Sequence, residues 1–284
     1  MAQDHARSRV LVTGASGTTG SRLARQLAAQ GVAVTAANRS GIGPRGTLGV
    51  RFDWYDISTH PGALAGAERM YLIPPSRDPD PQTVMVPFLE RAREAGVRRA
   101  VLLSNSAVPS GGPGTGAVHQ AIAAMFDEWA VLRPSWFMQN VTGNHMHAQS
   151  IRTSATITTA TENGRVGFVD AYDIARVAVE ALLSPTPLNI DLILTGPEAL
   201  SYDDVAAILT DVSGSTITHV HVSVADLRAL YETAGLPSTS AQFLAALDNA
   251  IASGIEDRTT DTVERVTGGS PRSFREFAAA EFRI

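Results

Sequence analysis

Gly14, Gly17 and Gly20 stand three residues apart, directly after the apolar run Val10-Leu11-Val12-Thr13. Glycines at this spacing, between a buried parallel strand and a helix, suit the capture of an anion by main-chain amides. Gly14 can turn tightly because it lacks a Cβ. Gly17 leaves room for a pyrophosphate to approach the backbone, and Gly20 lets the helix pack close to the strand. Ser16, Thr18 and Thr19 complete the loop and the first helical turn. The helix is predicted from about Thr18 to Gln30, with Gly31 as its stop. An ordinary tight turn is the alternative, but a strand before and a helix after favour a dinucleotide site.

A second apolar run, Val32 to Ala37, reads as the next parallel strand and ends in Asn38-Arg39-Ser40. An NAD site usually places a carboxylate here, for the ribose 2′-hydroxyl. A guanidinium suits the 2′-phosphate of NADP through charge-assisted bonds. Arg39 therefore points to NADP(H), with Asn38 and Ser40 as further donors; a solvated arginine at a strand end is the bland reading. Val50-Arg51-Phe52 resembles a short third strand delivering Asp53, with Trp54 alongside. From spacing alone, Asp53 accepts from an adenine amino group or caps a turn, and the two readings stay open.

Those residues need a frame, and the chain supplies alternating elements. Arg69 to Ile73 reads as a strand stopped by Pro74-Pro75, followed by a helix from about Pro81 to Ala95. Ala100 to Leu103 is the next strand and runs into Ser104-Asn105-Ser106. A glycine-rich loop, Pro109 to Gly116, is expected to order on ligand binding. Next come a helix from Ala117 to Glu128, a strand from Ala130 to Leu132, the turn Arg133-Pro134 and a helix-like stretch from about Trp136. This alternation predicts an α/β fold, a doubly wound parallel sheet of Rossmann type. Beyond residue 150, short β-like runs (Ala155 to Thr159, Val166 to Val169, Leu192 to Leu194, Thr218 to Val222) mix with helices. Asp170 and Asp173 read as structural, at a helix start, and Ser201 with Asp204 reads the same way. The expected division is 1–200 for the nucleotide domain, with part of a cap inserted around 141–170. Residues 201–284 are expected to form a small, mostly helical substrate cap over the carboxyl edge of the sheet.

Composition excludes several classes. With 284 residues, 44% of them hydrophobic, the chain can bury a sizeable core. A net charge of −5 without a basic block argues against nucleic acid and anionic membranes as partners. There is no cysteine, so thiolate catalysis and disulfides are absent. Met1 to Ser8 is polar, unlike a secretory core segment, and no apolar run approaches membrane-spanning length; a cytoplasmic protein is expected. The chain contains no lysine, which removes amine nucleophiles and lysine-assisted proton relays.

Five stretches carry a family resemblance: Thr13 to Gly20, Phe52-Asp53-Trp54, Tyr71 to Pro75, Leu132 to Asn140 and Leu194 to Tyr202. On these the chain resembles the atypical, NmrA-like short-chain dehydrogenase/reductases. Within them it is most similar to the ergot-alkaloid-type reductases, the festuclavine and agroclavine dehydrogenase group. The resemblance implies that Gly14 to Gly20, Arg39 and Asp53 bind NADP, and that Pro74, Ser104 and Pro134 lie beside the ribose and nicotinamide. Most of that superfamily uses a Tyr-x-x-x-Lys pair to protonate a carbonyl oxygen. Without lysine that pair cannot form. An iminium ion accepts hydride at carbon to give a neutral amine and needs no proton, so imine or iminium reduction suits the chain better than ketone reduction.

His119, after the glycine loop, is the candidate acid or orienting group; a surface or ribose-contacting histidine is the competing reading. Ser106 is a candidate substrate contact. Trp136, Phe137 and Met138 form either core or an apolar wall for a bulky substrate, and Asn140 either bonds in that cleft or caps backbone. Tyr172, Tyr202 and Tyr231 read as structural, with cap contacts as the alternative. His145 and His147 make a poor metal pair, two residues apart on a helix. His219 and His221 share a strand face but show no third ligand, so no metal is expected. The resulting expectation is an NADP(H)-dependent oxidoreductase acting on a small molecule. A non-catalytic NADP(H)-sensing regulator and a non-redox cyclase or isomerase are the alternatives.

Overall fold

The computed structural model describes residues 9–76 and 78–283; Met1 to Ser8, the segment read above for a secretory signal, lie outside them. In chain order the elements begin β1 (Arg9–Thr13), α1 (Thr18–Ala29), β2 (Ala33–Asn38), β3 (Leu48–Arg51), α2 (His60–Leu64), β4 (Ala67–Leu72), α3 (Gln82–Glu94), β5 (Arg99–Leu103), α4 (Thr115–Met125) and β6 (Glu128–Pro134). They continue with α5 (Met146–Ser154), β7 (Thr156–Thr159), α6 (Ala171–Leu183), β8 (Ile190–Leu194), α7 (Tyr202–Ser213), β9 (Thr218–His221), α8 (Val224–Thr233), α9 (Ser238–Ala252), α10 (Thr262–Thr267) and α11 (Phe274–Glu281).

The chain divides into two compact units. The first comprises Met1–Pro134, Ala171–Leu194 and Thr262–Gly268. It holds a seven-stranded sheet in the order β3-β2-β1-β4-β5-β6-β8, with every pairing parallel. This is the predicted doubly wound α/β sheet. The order reverses between β1 and β4, and at such a point the connections leave a crevice at the carboxyl ends of the strands. The strands are apolar on both faces because helices cover both: Val10, Leu11 and Val12 of β1 are fully buried, as are Ala100, Val101 and Leu102 of β5. On one face Met70, Leu72, Met85, Phe88, Leu89 and Ile122 belong to a single core cluster.

The second unit comprises Ser135–Asp170, Thr195–Asp261 and Gly269–Ile284. It is mostly helical, with a parallel two-stranded ribbon of β7 and β9. Phe168, Tyr202, Val205, Leu209, Phe274 and Phe277 form its main core. The division differs from one at 200/201: Ser135–Asp170 and Thr195 onward pack with the helical unit, and Thr262–Gly268 with the sheet unit.

Three local readings are corrected. The helix expected to reach Glu128 ends at Met125, because Glu128 and Trp129 already pair with Arg99 and Ala100 of β5. The stretch from Trp136 yields only a single 3₁₀ turn, Met138–Val141. Val166 to Val169 is no strand. It makes isolated bridges, Val166 to Leu200 and Val169 to Phe137, and a Cβ on Gly167 would sit 2.6 Å from the Arg258 carbonyl oxygen. No helix among the described residues is long and apolar enough to cross a membrane.

Candidate functional site

The site begins where β1 and β4 end side by side. The Thr13 hydroxyl accepts from the Ile73 amide at 2.8 Å, which locks the two strand ends together at the switch point. Gly14 then turns with φ +59°, a region costly for any residue with a Cβ. Its carbonyl accepts from the Gly17 amide at 2.8 Å. A Cβ on Gly20 would lie 2.4 Å from that same carbonyl oxygen, and one on Gly17 3.2 Å from it. The first turn of α1 is therefore seated directly on the glycine turn.

Gly17 is the N-cap of α1, no side chain bonds to that end, and its first turn carries no acid. Ser16, Gly17 and Thr18 are exposed, while Thr19 and Gly20 are buried. The leading amides of a helix lack intrahelical partners. Here the chain's own side chains leave them, and the positive end of the dipole, to an outside acceptor. A separate cavity of about 330 Å³, lined by Gln26, Ala29, Gln30, Tyr172, Arg176 and Glu180 among others, lies at the opposite end of this helix and takes no part in the site.

At the end of β2, Asn38 is buried and spends its amide on the following loop. Its Nδ2 donates to the Ile42 carbonyl at 2.7 Å. Its Oδ1 accepts from the Ser40 amide at 3.0 Å and from the Ser40 hydroxyl at 2.7 Å. The Ser40 amide and hydroxyl are thereby spent on the turn, while the Asn38 Nδ2 keeps its second N–H. Arg39 stands between them, exposed and without a hydrogen-bond or ion-pair partner among the described residues.

Asp53 fills the turn-capping role with one oxygen and leaves the other open. One carboxylate oxygen accepts from the Tyr55 amide at 3.0 Å, the turn-capping role; the other has no hydrogen bond among the described residues. Trp54, expected alongside the cofactor, packs in the core. It is 9% exposed, its indole N–H donates to the Ile73 carbonyl at 3.1 Å, and its ring meets Phe52 and Phe88 edge-on.

Pro74, Ser104 and Pro134 follow or close β4, β5 and β6, three neighbours in the sheet. The Ser104 hydroxyl is 2.8 Å from that of Thr115, at the start of α4. Ser106 is buried, and its amide donates to the Pro134 carbonyl at 2.9 Å. Arg133, read from the sequence only as part of a turn, fixes this edge. Its guanidinium pairs with Asp191 at 2.6 Å and donates to the Ser106 carbonyl at 2.8 Å. The glycine loop folds on itself, with the Gly111 amide donating to the Gly116 carbonyl at 2.8 Å. His119 is 3% exposed, its Nδ1 is buried without a partner, and its ring lies 5.9 Å from that of Trp129. Burial pulls its basicity below the ordinary imidazole range, so near neutral pH it is a poor proton donor.

The other candidates belong to the second unit. Met138 is buried in its core, and the half-buried Trp136 packs on the same cluster. Phe137 and Asn140 are half-buried, with the Asn140 amide donating to the Phe137 carbonyl at 3.1 Å. Tyr202 is buried in that core, whereas Tyr172, of the first unit, is exposed. Asp170 is fully buried, paired with Arg272 at 2.8 Å and accepting from Gln139 at 2.7 Å; Asp173 pairs with Arg176 at 2.9 Å in the first unit. The reading that no third ligand accompanies His219 and His221 is corrected: Asp203 stands against both. It lies 16 residues before His219, on another element, where spacing cannot reveal it.

No protein-family model matches the chain. The chain is 46% identical over 275 residues to an oxidoreductase, YesF, of Bacillus subtilis (strain 168), covering 95% of this chain and 94% of the other. It is 37% identical over 281 residues to the agroclavine dehydrogenase of Claviceps purpurea (strain 20.1), covering 96% and 97%. The Citrobacter triphenylmethane reductase, crystallised with NADP(H), superposes with a TM-score of 0.79 at 22% identity, over 97% of this chain and 100% of that one, and shares its fold. By likeness along nearly its whole length, the chain belongs to the atypical, NmrA-like short-chain dehydrogenase/reductases, in the ergot-alkaloid-type group of oxidoreductases.

Proposed function

We propose that the chain is a cytoplasmic, NADP(H)-dependent reductase. Its substrate would be a small organic molecule of secondary metabolism with an imine, an iminium or a conjugated C=C or C=O group. The observation that carries the reading is the uncapped, acid-free start of α1 on its glycine turn, with an unpartnered Arg39 at the end of the neighbouring strand. These residues fit a dinucleotide: a glycine turn with the start of α1 seated so close that a Cβ on Gly20 would strike the Gly14 carbonyl, amides for a diphosphate, and a free guanidinium for a 2′-phosphate.

When bound, the reduced nicotinamide supplies a hydride. The amides of the α1 start hold the diphosphate. Arg39 holds the 2′-phosphate, and the open oxygen of Asp53 accepts from the adenine amino group. Pro74, Ser104 and Pro134 border the ribose and nicotinamide. Trp136, Phe137, Met138, Asn140 and Ser106 are the proposed substrate contacts, with Met138 and Ser106 acting from buried positions. His119, neutral and enclosed, orients neighbours rather than giving up a proton.

With no lysine in the chain and His119 a poor acid, a substrate that needs no proton fits best. The agroclavine dehydrogenase likeness supports that preference. The test is fluorescence titration with NADPH and NADH, followed by turnover on panels of cyclic imines, quinones and enones. Tighter binding of NADPH and one NADPH consumed per reduced imine are expected. Binding without consumption on any panel would instead favour a non-catalytic NADP(H)-sensing regulator.

A further inference from the structure

Asp203, His219 and His221 lie in the second unit and belong to no part of the machinery above. The two histidines alternate on β9, so both project from one face of the strand, and their ring centroids are 4.1 Å apart. Asp203, in the first turn of α7, reaches both. Its Oδ1 is 3.1 Å from His219 Nδ1, and its Oδ2 is 3.2 Å from His221 Nε2. One ligand atom from each residue fits within a set whose members all lie within 4.8 Å of one another.

We propose that these three residues form a binding site for a first-row divalent transition ion, with zinc the natural occupant. Two imidazoles and a carboxylate are a donor set that zinc accepts, at bonds of about 2.0–2.1 Å. Tetrahedral geometry at that length separates neighbouring ligand atoms by about 3.3–3.4 Å. A single oxygen, Asp203 Oδ1, lies 3.1 Å from His219 Nδ1 and 3.3 Å from His221 Nε2, already close to that. Without an ion, each ring can donate its own N–H to this carboxylate. One divalent ion satisfies all three groups together.

The surroundings match a ligand shell. The His219 side chain is fully buried, and its other ring nitrogen is 2.7 Å from the Thr159 hydroxyl of β7. Such an outer partner fixes the ring and its tautomer, as second-sphere groups do at metal centres. Asp203 and His221 are each about half exposed, at 49% and 46%, so the ion has an entry path and room for a water ligand. The Tyr202 and His147 rings pack behind the site. The ion would staple the start of α7 to β9.

The experiment uses the tag-free full chain, stripped with chelator and titrated calorimetrically with Zn²⁺ alone. A second titration with Co²⁺ reads the visible d–d absorption. One ion per chain, a cobalt spectrum of tetrahedral intensity and a zinc-dependent rise in melting temperature are expected. His221→Ala and Asp203→Asn, both at half-exposed positions, should weaken zinc at least about 100-fold. Thr159→Val should weaken it about tenfold. His145→Ala, in the separate His145–His147 pair, should leave affinity unchanged. Melting in chelator shows whether each variant folds. The proposal is overturned if wild-type chain takes up no stoichiometric zinc at micromolar concentration. It is equally overturned if folded His221→Ala and Asp203→Asn bind as tightly as wild type, or if His145→Ala removes the binding.

Discussion

The starts of α1 and α7 meet the same physical problem in opposite ways. In α7, Ser201 accepts from the Asp204 amide at 3.1 Å, and the Asp204 carboxylate accepts from the Ser201 amide at 2.9 Å. Asp203 and Asp204 add negative charge to the first turn. A second reciprocal cap, Ser273 with Glu276, closes α11. In α1 a glycine stands where α7 has Ser201, and Gly20 stands where α7 has Asp204. The start of α7 satisfies its own leading amides; that of α1 forgoes a cap worth about 1 kcal/mol and keeps its amides open.

The contrast breaks most violently if the α7 acid is transplanted. Gly20→Asp places a Cβ 2.4 Å from the Gly14 carbonyl oxygen, so coenzyme binding should vanish and melting temperature fall by many degrees. Even Gly20→Ala should cost about 1–3 kcal/mol in denaturant titration. Gly17→Asp tests the electrostatic half. Its N-cap backbone is extended, at φ −84° and ψ −177°, which any residue adopts, and its Cβ would press lightly on the Gly14 carbonyl oxygen at 3.2 Å. Stability should move by no more than about 1 kcal/mol, while NADPH affinity falls by at least about 100-fold as a carboxylate meets the diphosphate. Gly17→Val should abolish binding by bulk alone. Arg39→Ala should weaken NADPH by about 10- to 100-fold, from the loss of charge-assisted bonds, with NADH and melting temperature unchanged. Equal losses for both coenzymes would remove Arg39 from the 2′-phosphate.

The smallest effects belong to α7. Ser201→Ala should cost about 1 kcal/mol and leave coenzyme affinity alone. Hydrogen bonds from Ser201 hold the Asp204 carboxyl below its ordinary value of 3.8. The cap's contribution is therefore full above about pH 4 and is lost as pH falls through the depressed value. Asp204→Asn should flatten that limb of the melting curve measured against pH.

What the sequence revealed follows the range of the interactions. The strand, the glycine turn, α1 and the alternation that builds the sheet are written in adjacent residues. The cap of α7 is too, in four. What escaped depends on partners far along the chain. Trp54 is a core residue because its indole finds the Ile73 carbonyl. Ser106 is held in place because Arg133 reaches it from another strand. Asp203 gains its meaning only from β9, folded back against it. Asn38 and Ser40 are a subtler case: their types suit both a ligand and a turn, and the turn at the strand end takes most of their hydrogen bonds.

That small closed circuit of Asn38, Ser40 and Ile42 separates scaffolding from selectivity. The loop's shape is settled without any help from Arg39, whose side chain hangs from a finished frame like a key on a fixed ring. On the role proposed for Arg39, a change of coenzyme preference, in evolution or in the laboratory, would take one side-chain replacement rather than a rebuilding of the strand end that carries it.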